Sequence, residues 1–221
     1  MKDQNPYVLV LYLRRLSRMQ DFPKLLGAEA RVGFTQMDRW LCFSAVKNNV
    51  ADARKKAADT GFAECGASGE ADMYSVHRRK LALCGAVIEE AAEPKVFAGV
   101  PVRDGAHVVV APQFASSLVE LRERLTGAMV RLSSQATLVL DAANLSINRL
   151  DVDGALVVRA APDAQVRLDS VTIRNRGWQF QEIDTADAAH PEKYRIRGYV
   201  LQKHEQTELE FPTAGVHTVN Q

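Results

Sequence analysis

The most restrictive feature of this 221-residue sequence is a procession of short runs between residues 137 and 173. Thr137-Leu138-Val139-Leu140, Leu145-Ser146-Ile147, Leu150-Asp151-Val152-Asp153, Ala155-Leu156-Val157-Val158, Val166-Arg167-Leu168 and Val171-Thr172-Ile173 follow one another, cut by turns rich in Asp, Asn, Gly and Pro162. Alternating polarity over so few residues marks half-buried strands. Strands this short make no stable hairpin stack by themselves. They suit a β-helix-like or single-layer stacked arrangement, in which each turn of chain buries itself on its neighbours. A small sandwich or barrel is the competing architecture. Residues 194–200 and 206–219 continue in β style, and Trp178 and Phe180 are expected to cover one open end of the stack with large apolar rings.

The first half has a different texture, so the chain divides at about residue 113 into segments 1–113 and 114–221. Tyr7-Val8-Leu9-Val10-Leu11-Tyr12-Leu13 is apolar but far too short to span a bilayer, and Arg14, Arg15 and Arg18 follow where a signal peptide has small residues. A cytoplasmic location is expected. Arg31-Val32-Gly33-Phe34 and Trp40-Leu41-Cys42-Phe43 read as strand or helix-edge segments. Helices are predicted over 52–59 and, most clearly, over 75–92, where Val76, Leu81, Leu83, Cys84, Val87 and Ile88 recur at roughly helical spacing. In that span the bases precede the acids Glu89 and Glu90, against the helix dipole. A further helix is predicted over 116–127, with Ser116 or Ser117 as cap and Glu120 behind it.

Composition excludes more than it assigns. Twenty-eight basic and 27 acidic residues leave a net charge of +1, so no global field draws the chain to nucleic acid or a membrane, and any anion site must be local. Three widely spaced cysteines without a CxxC fit a reducing compartment. The five histidines form no HxxxH or HExxH pair. No strict six-residue repeat supports an acyltransferase of the stacked-turn type.

Two segments could carry chemistry. In Phe43-Ser44-Ala45-Val46-Lys47-Asn48-Asn49 an apolar stretch, read as a strand end, runs into one lysine and two amides before a predicted helix. A strand end fixes the backbone, the lysine supplies a compact charge, and Asn48 and Asn49 supply N–H donors or turn geometry. A following helix N-terminus adds donors and partial positive charge, which together suit phosphate. Taken alone, a lysine at such a place is also what solvated surface looks like. The second segment, Gly66-Ala67-Ser68-Gly69-Glu70, is neither a dinucleotide nor a Walker loop and reads as a tight turn before a helix, capped by Ser68 or Glu70.

An ordered set of segments resembles UDP-sugar pyrophosphorylase, the broad-specificity UTP:monosaccharide-1-phosphate uridylyltransferase family. It comprises Met19-Gln20-Asp21-Phe22-Pro23-Lys24, Ala30 to Trp40, Val46-Lys47-Asn48-Asn49, Ser68-Gly69-Glu70, Ser134 to Val139, Leu150 to Val158, Asn175-Arg176-Gly177-Trp178 and Arg195-Ile196-Arg197-Gly198-Tyr199. The resemblance runs from about residue 19 to the end and points to the C-terminal portion of such an enzyme. It implies an α/β fold: the edge of a Rossmann-like nucleotidyltransferase core, followed by a C-terminal β-helix-like domain. It further implies that Lys47 contacts phosphate at the reacting centre, that UTP and a sugar 1-phosphate are substrates with pyrophosphate as product, and that Mg2+ bridges phosphates. The family's glycine-rich uridine loop has no counterpart here, and the acidic Mg2+ ligands are expected outside this chain. Residues 1–18 match poorly, with Arg15-Leu16-Ser17-Arg18 lacking the family's glutamate, and Val50 replaces a proline after the two asparagines. The expectation is a chain that supplies part of a uridylyltransferase site. The alternative is a non-catalytic fragment or relic serving as a subunit-contact or regulatory β module.

Overall fold

A computed structural model describes residues 19–221, and the chain falls into two units, Met1–Asp38 and Arg39–Gln221. The apolar run at 7–13 lies outside the described residues. In the first unit Met19–Leu25 forms a 3₁₀ turn containing Pro23, and residues 31–34 adopt no regular element.

The second unit is built on short strands paired in parallel. β1 (Val87–Ile88), β5 (Met129–Leu132), β7 (Asn144–Asp153), β9 (Ala164–Arg174) and β13 (Gly215–Asn220) share one sheet in the order β1-β5-β7-β9-β13. β4 (His107–Val110), β6 (Thr137–Asp141), β8 (Ala155–Ala160) and β12 (Thr207–Phe211) share another in the order β12-β8-β6-β4. Every pairing in both is parallel. From β4 to β9 consecutive strands alternate between the two sheets, so each parallel connection is made by a strand of the other sheet, with no closed barrel. This is how strands too short for hairpins are stabilised: β6 lies between β4 and β8, and β7 between β5 and β9.

Register does what a strict repeat would otherwise do. Leu138 pairs with Leu156 and Leu140 with Val158, while Leu145, Ile147, Leu150 and Val152 pair with Val166, Leu168, Val171 and Ile173. All of these are buried in one apolar core. The runs at 145–147 and 150–153 belong to one strand, β7, bent at Asn148-Arg149, where two successive side chains face out. β9 turns at the matching place, and Asn148 reaches Asp169 across the corner at 3.3 Å. Between β7 and β8, Gly154 has φ +127°, and a Cβ there would lie 2.3 Å from Asn175 Oδ1. Asn175 needs that space: its Oδ1 accepts from Ala155 N at 2.7 Å and Gly177 N at 3.0 Å, and its Nδ2 donates to Ala155 O at 3.0 Å.

Helices and a hairpin dress this stack. α1 (Arg39–Cys42) is a single turn, α2 covers Val50–Thr60, α3 Gly66–Leu83, α4 Leu118–Arg124 and α5 Glu192–Arg197. α4 has the expected reciprocal cap: Glu120 N donates to Ser117 Oγ at 3.1 Å and Ser116 N to Glu120 Oε2 at 2.8 Å. The longest helix sits nine residues earlier than the periodicity predicts, over Gly66–Leu83 rather than 75–92. Val87 and Ile88 are strand, Glu89 and Glu90 lie beyond the helix, and the last turn carries Lys80 in the favourable sense for the dipole. The tail also differs, because 192–197 is helical before β11 (Tyr199–Lys203).

A second, smaller core joins α2 and α3 to the hairpin of β2 (Lys95–Phe97) with β3 (Val100–Val102), and to the antiparallel pair of β10 (Trp178–Glu182) with β11. Phe180 sits here, its ring stacked on His107 at 4.0 Å and tilted against Tyr199 at 5.2 Å. The aromatic pair expected to close an end of the stack thus splits: Phe180 seals the helical layer, and Trp178 is half-buried, donating Nε1 to Gln206.

Candidate functional site

Lys47 lies in a loop, with no strand leading into it, directly ahead of α2. The expected strand end is replaced by a clamp from the 61–65 connection. Lys47 N and Asn48 N both donate to Glu64 O, at 2.8 and 3.0 Å, and Asn48 Nδ2 donates to Ala63 O at 2.9 Å. Asn49 is the N-cap of α2: its Oδ1 accepts from Asp52 N at 2.9 Å and its Nδ2 donates to Asp52 Oδ2 at 2.9 Å. The two asparagine side chains therefore shape the loop. The Lys47 side chain is exposed, with no ion pair or side-chain hydrogen bond among the described residues.

The small-residue segment explains how the loop comes so close to α3. Gly66 to Glu70 form the first turns of that helix rather than a turn before it. Ser68 completes the cap, accepting from Cys65 N at 3.0 Å and donating to Cys65 O at 3.1 Å. A Cβ on Gly69 would lie 2.5 Å from Val46 Cγ2, so glycine is what lets the residue before Lys47 rest on the helix.

Beside the loop opens a cleft of about 510 Å³. Its walls include Trp40, Phe43, Phe62, Asp72, Arg79 and Arg103. Arg39 stands over the Phe43 and Phe62 rings at 4.8 and 4.1 Å and pairs with Glu64 at 3.2 Å. Arg79 stands over Trp40 at 5.2 Å. Arg79 and Arg103 have no carboxylate partner among the described residues, whereas Asp72 accepts from Ser44 Oγ at 2.8 Å. Aromatic walls with uncompensated guanidinium groups can receive an anionic ligand. Nothing in the sequence pattern singled out Arg79 and Arg103, which are ordinary basic residues until α3 and β3 bring them to one cavity.

Below the cleft the polar groups are engaged with one another. Tyr74 donates to Glu70 at 2.9 Å and Arg197 pairs with the same carboxylate at 2.9 Å. Burial opposes the Glu70 charge, but hydrogen bonds from Tyr199, Arg197 and Tyr74 hold its carboxyl below the usual range. Burial, with the Glu70 charge behind it, raises the hydroxyls of Tyr74 and Tyr199. No group of three or more His, Cys, Asp or Glu side chains converges among the described residues, so no Mg2+ ligand set is assigned to them. No helix among the described residues is long and apolar enough to cross a membrane.

No family model matches the chain. Among curated proteins, UDP-sugar pyrophosphorylase of Arabidopsis thaliana is 34% identical over 201 residues, covering 91% of this chain and 32% of that protein. UDP-sugar pyrophosphorylases of Oryza sativa subsp. indica and subsp. japonica are each 33% identical over 195 residues, covering 87% of this chain and 31% of theirs. Over about nine-tenths of its length this chain is therefore a relative of the UDP-sugar pyrophosphorylases, and it spans about a third of theirs.

Proposed function

We propose that this chain forms part of a uridylyltransferase that makes a UDP-sugar and pyrophosphate from UTP and a monosaccharide 1-phosphate. The observation that carries the reading is the exposed ammonium of Lys47 on a loop pinned by two backbone hydrogen bonds at the start of α2, in a chain similar to UDP-sugar pyrophosphorylases. In the reaction an oxygen of the sugar phosphate attacks the α-phosphorus of UTP. One P–O bond forms, the bond to the bridging oxygen breaks, and pyrophosphate departs with that electron pair. Such a transfer needs positioning and charge neutralisation more than covalent help. Lys47 supplies a fixed positive charge to the transferring or departing phosphate and takes no part as acid or base. Asn48 and Asn49 contribute by holding the loop. Mg2+ would neutralise phosphate charge when bound; its ligands belong outside the residues described.

On this reading residues 1–113 complete a Rossmann-like nucleotidyltransferase core and 114–221 form a β-helix-like domain. β4 links the two, since it pairs with β6. The protein works in the cytoplasm. The uridine-binding and metal-binding parts of the site come from elsewhere, so this chain by itself is expected to release no pyrophosphate from UTP with glucose 1-phosphate or galactose 1-phosphate. Clear turnover in that assay would overturn the division of the site, and Lys47→Ala would then show whether the lysine serves it.

A further inference from the structure

We propose that Glu64 is the positioning residue for Lys47, which rests on the role given to Lys47 above. Glu64 is one of two non-glycine residues with positive φ among those described, at +52°. A side chain in the left-handed region costs energy and persists only where the surroundings over-determine it. Here they do. The backbone turn aims the Glu64 carbonyl at two donors, Lys47 N and Asn48 N. The carboxylate, only 12% exposed, is gripped by Arg39 of α1 at 3.2 Å and by Lys56 of α2. One residue thus ties α1, α2 and the lysine loop together, and its carboxyl is held below the usual range by those two cations. A glycine would satisfy the backbone alone; glutamate also ties the turn to α1 and α2.

The clamp leaves the Lys47 ammonium untouched. It takes up the backbone donors of the loop, so the side chain projects from a fixed point. Preorganisation of this kind is what makes a single charge effective against a phosphate.

Amide hydrogen exchange on the full 221-residue chain tests this without requiring turnover. In Glu64→Ala the amides of Lys47 and Asn48 are expected to exchange about tenfold faster or more, while those of β6 to β9 keep their protection. Glu64→Gln, which keeps the length and loses the charge, is expected to fall between wild type and alanine, and serves also if the alanine chain fails to fold. In parallel, titration with inorganic pyrophosphate is expected to show affinity falling about tenfold in Glu64→Ala, a loss that a contact remote from Lys47 would not produce. Exchange at both amides within about twofold of wild type in the two variants would overturn the proposal. If wild type binds no pyrophosphate, the isolated chain holds too little of the site to bind it, and the exchange rates decide whether Glu64 holds the loop.

Discussion

At the scale of single residues, the loop before α2 shows how far the placement of one exposed lysine depends on its neighbours. Lys47 makes no side-chain contact that fixes it among the described residues; Val46 on Gly69, Asn48 on Ala63 and Glu64 on two backbone amides do so. Gly69 makes the dependence testable. Within a helix, Gly→Ala normally gains up to about 1 kcal/mol from propensity. At residue 69 the added methyl would meet Val46 Cγ2 at 2.5 Å, closer than real Cβ contacts allow, so the Val46 side chain, the helix or the loop must move. Gly69→Ala is therefore expected to lower the urea midpoint and to shift the backbone resonances of 46–48. A raised midpoint with unchanged resonances would mean that the contact is soft. The asparagines were legible in the sequence as donors or turn residues; that Asn49 caps α2 emerges only from the structure, where the helix begins at Val50. Glu64 was not legible, because Phe62-Ala63-Glu64-Cys65 carries no signal for a left-handed turn; only the hydrogen-bonding demands of a distant loop put it there.

At the scale of elements, propensity located the pieces better than it set their limits. Ser117 and Glu120 announced the start of α4 because capping is local chemistry. The start of α3 was misplaced because Gly66, Ala67 and Gly69 look like a turn until Val46 and Ile196 are packed against them. The turn between β3 and β4 shows a different kind of element-level glue. Asp104 pairs with Lys95 of β2 at 2.8 Å and faces His107 of β4 at 3.6 Å, and its carbonyl accepts from Arg78 of α3 at 3.2 Å. Burial opposes its charge, but hydrogen bonds from His107, Lys95 and the Gly105 amide outweigh that and bring its carboxyl down to about 2. A depressed carboxylate contributes stability that is fully present above its unfolded value of 3.8 and is lost as pH falls towards about 2. Urea midpoints measured between pH 5 and pH 2 are expected to fall more steeply for wild type than for Asp104→Asn. Parallel curves would remove Asp104 from the acid response.

At the scale of the whole molecule, the short strands were readable because alternating polarity and turn residues mark each of them. The ordering of the strands was not readable, since parallel pairing rests on partners such as Leu145 with Val166 and Val158 with Leu209, the latter separated by the β10–β11 insertion. Function followed a third route. It came from ordered likeness to UDP-sugar pyrophosphorylases, while the geometry contributed the clamp, the cleft and the exposed charge. The most direct test joins these levels. In the Arabidopsis thaliana relative, the 201 matched residues are exchanged for the matching stretch of this chain, and pyrophosphate release from UTP and glucose 1-phosphate is measured with and without Lys47→Ala. The chimera is expected to be active and to lose about 100-fold in turnover with the alanine. A folded, active chimera whose turnover changes by less than about threefold would contradict this and return Lys47 to plain solvated surface.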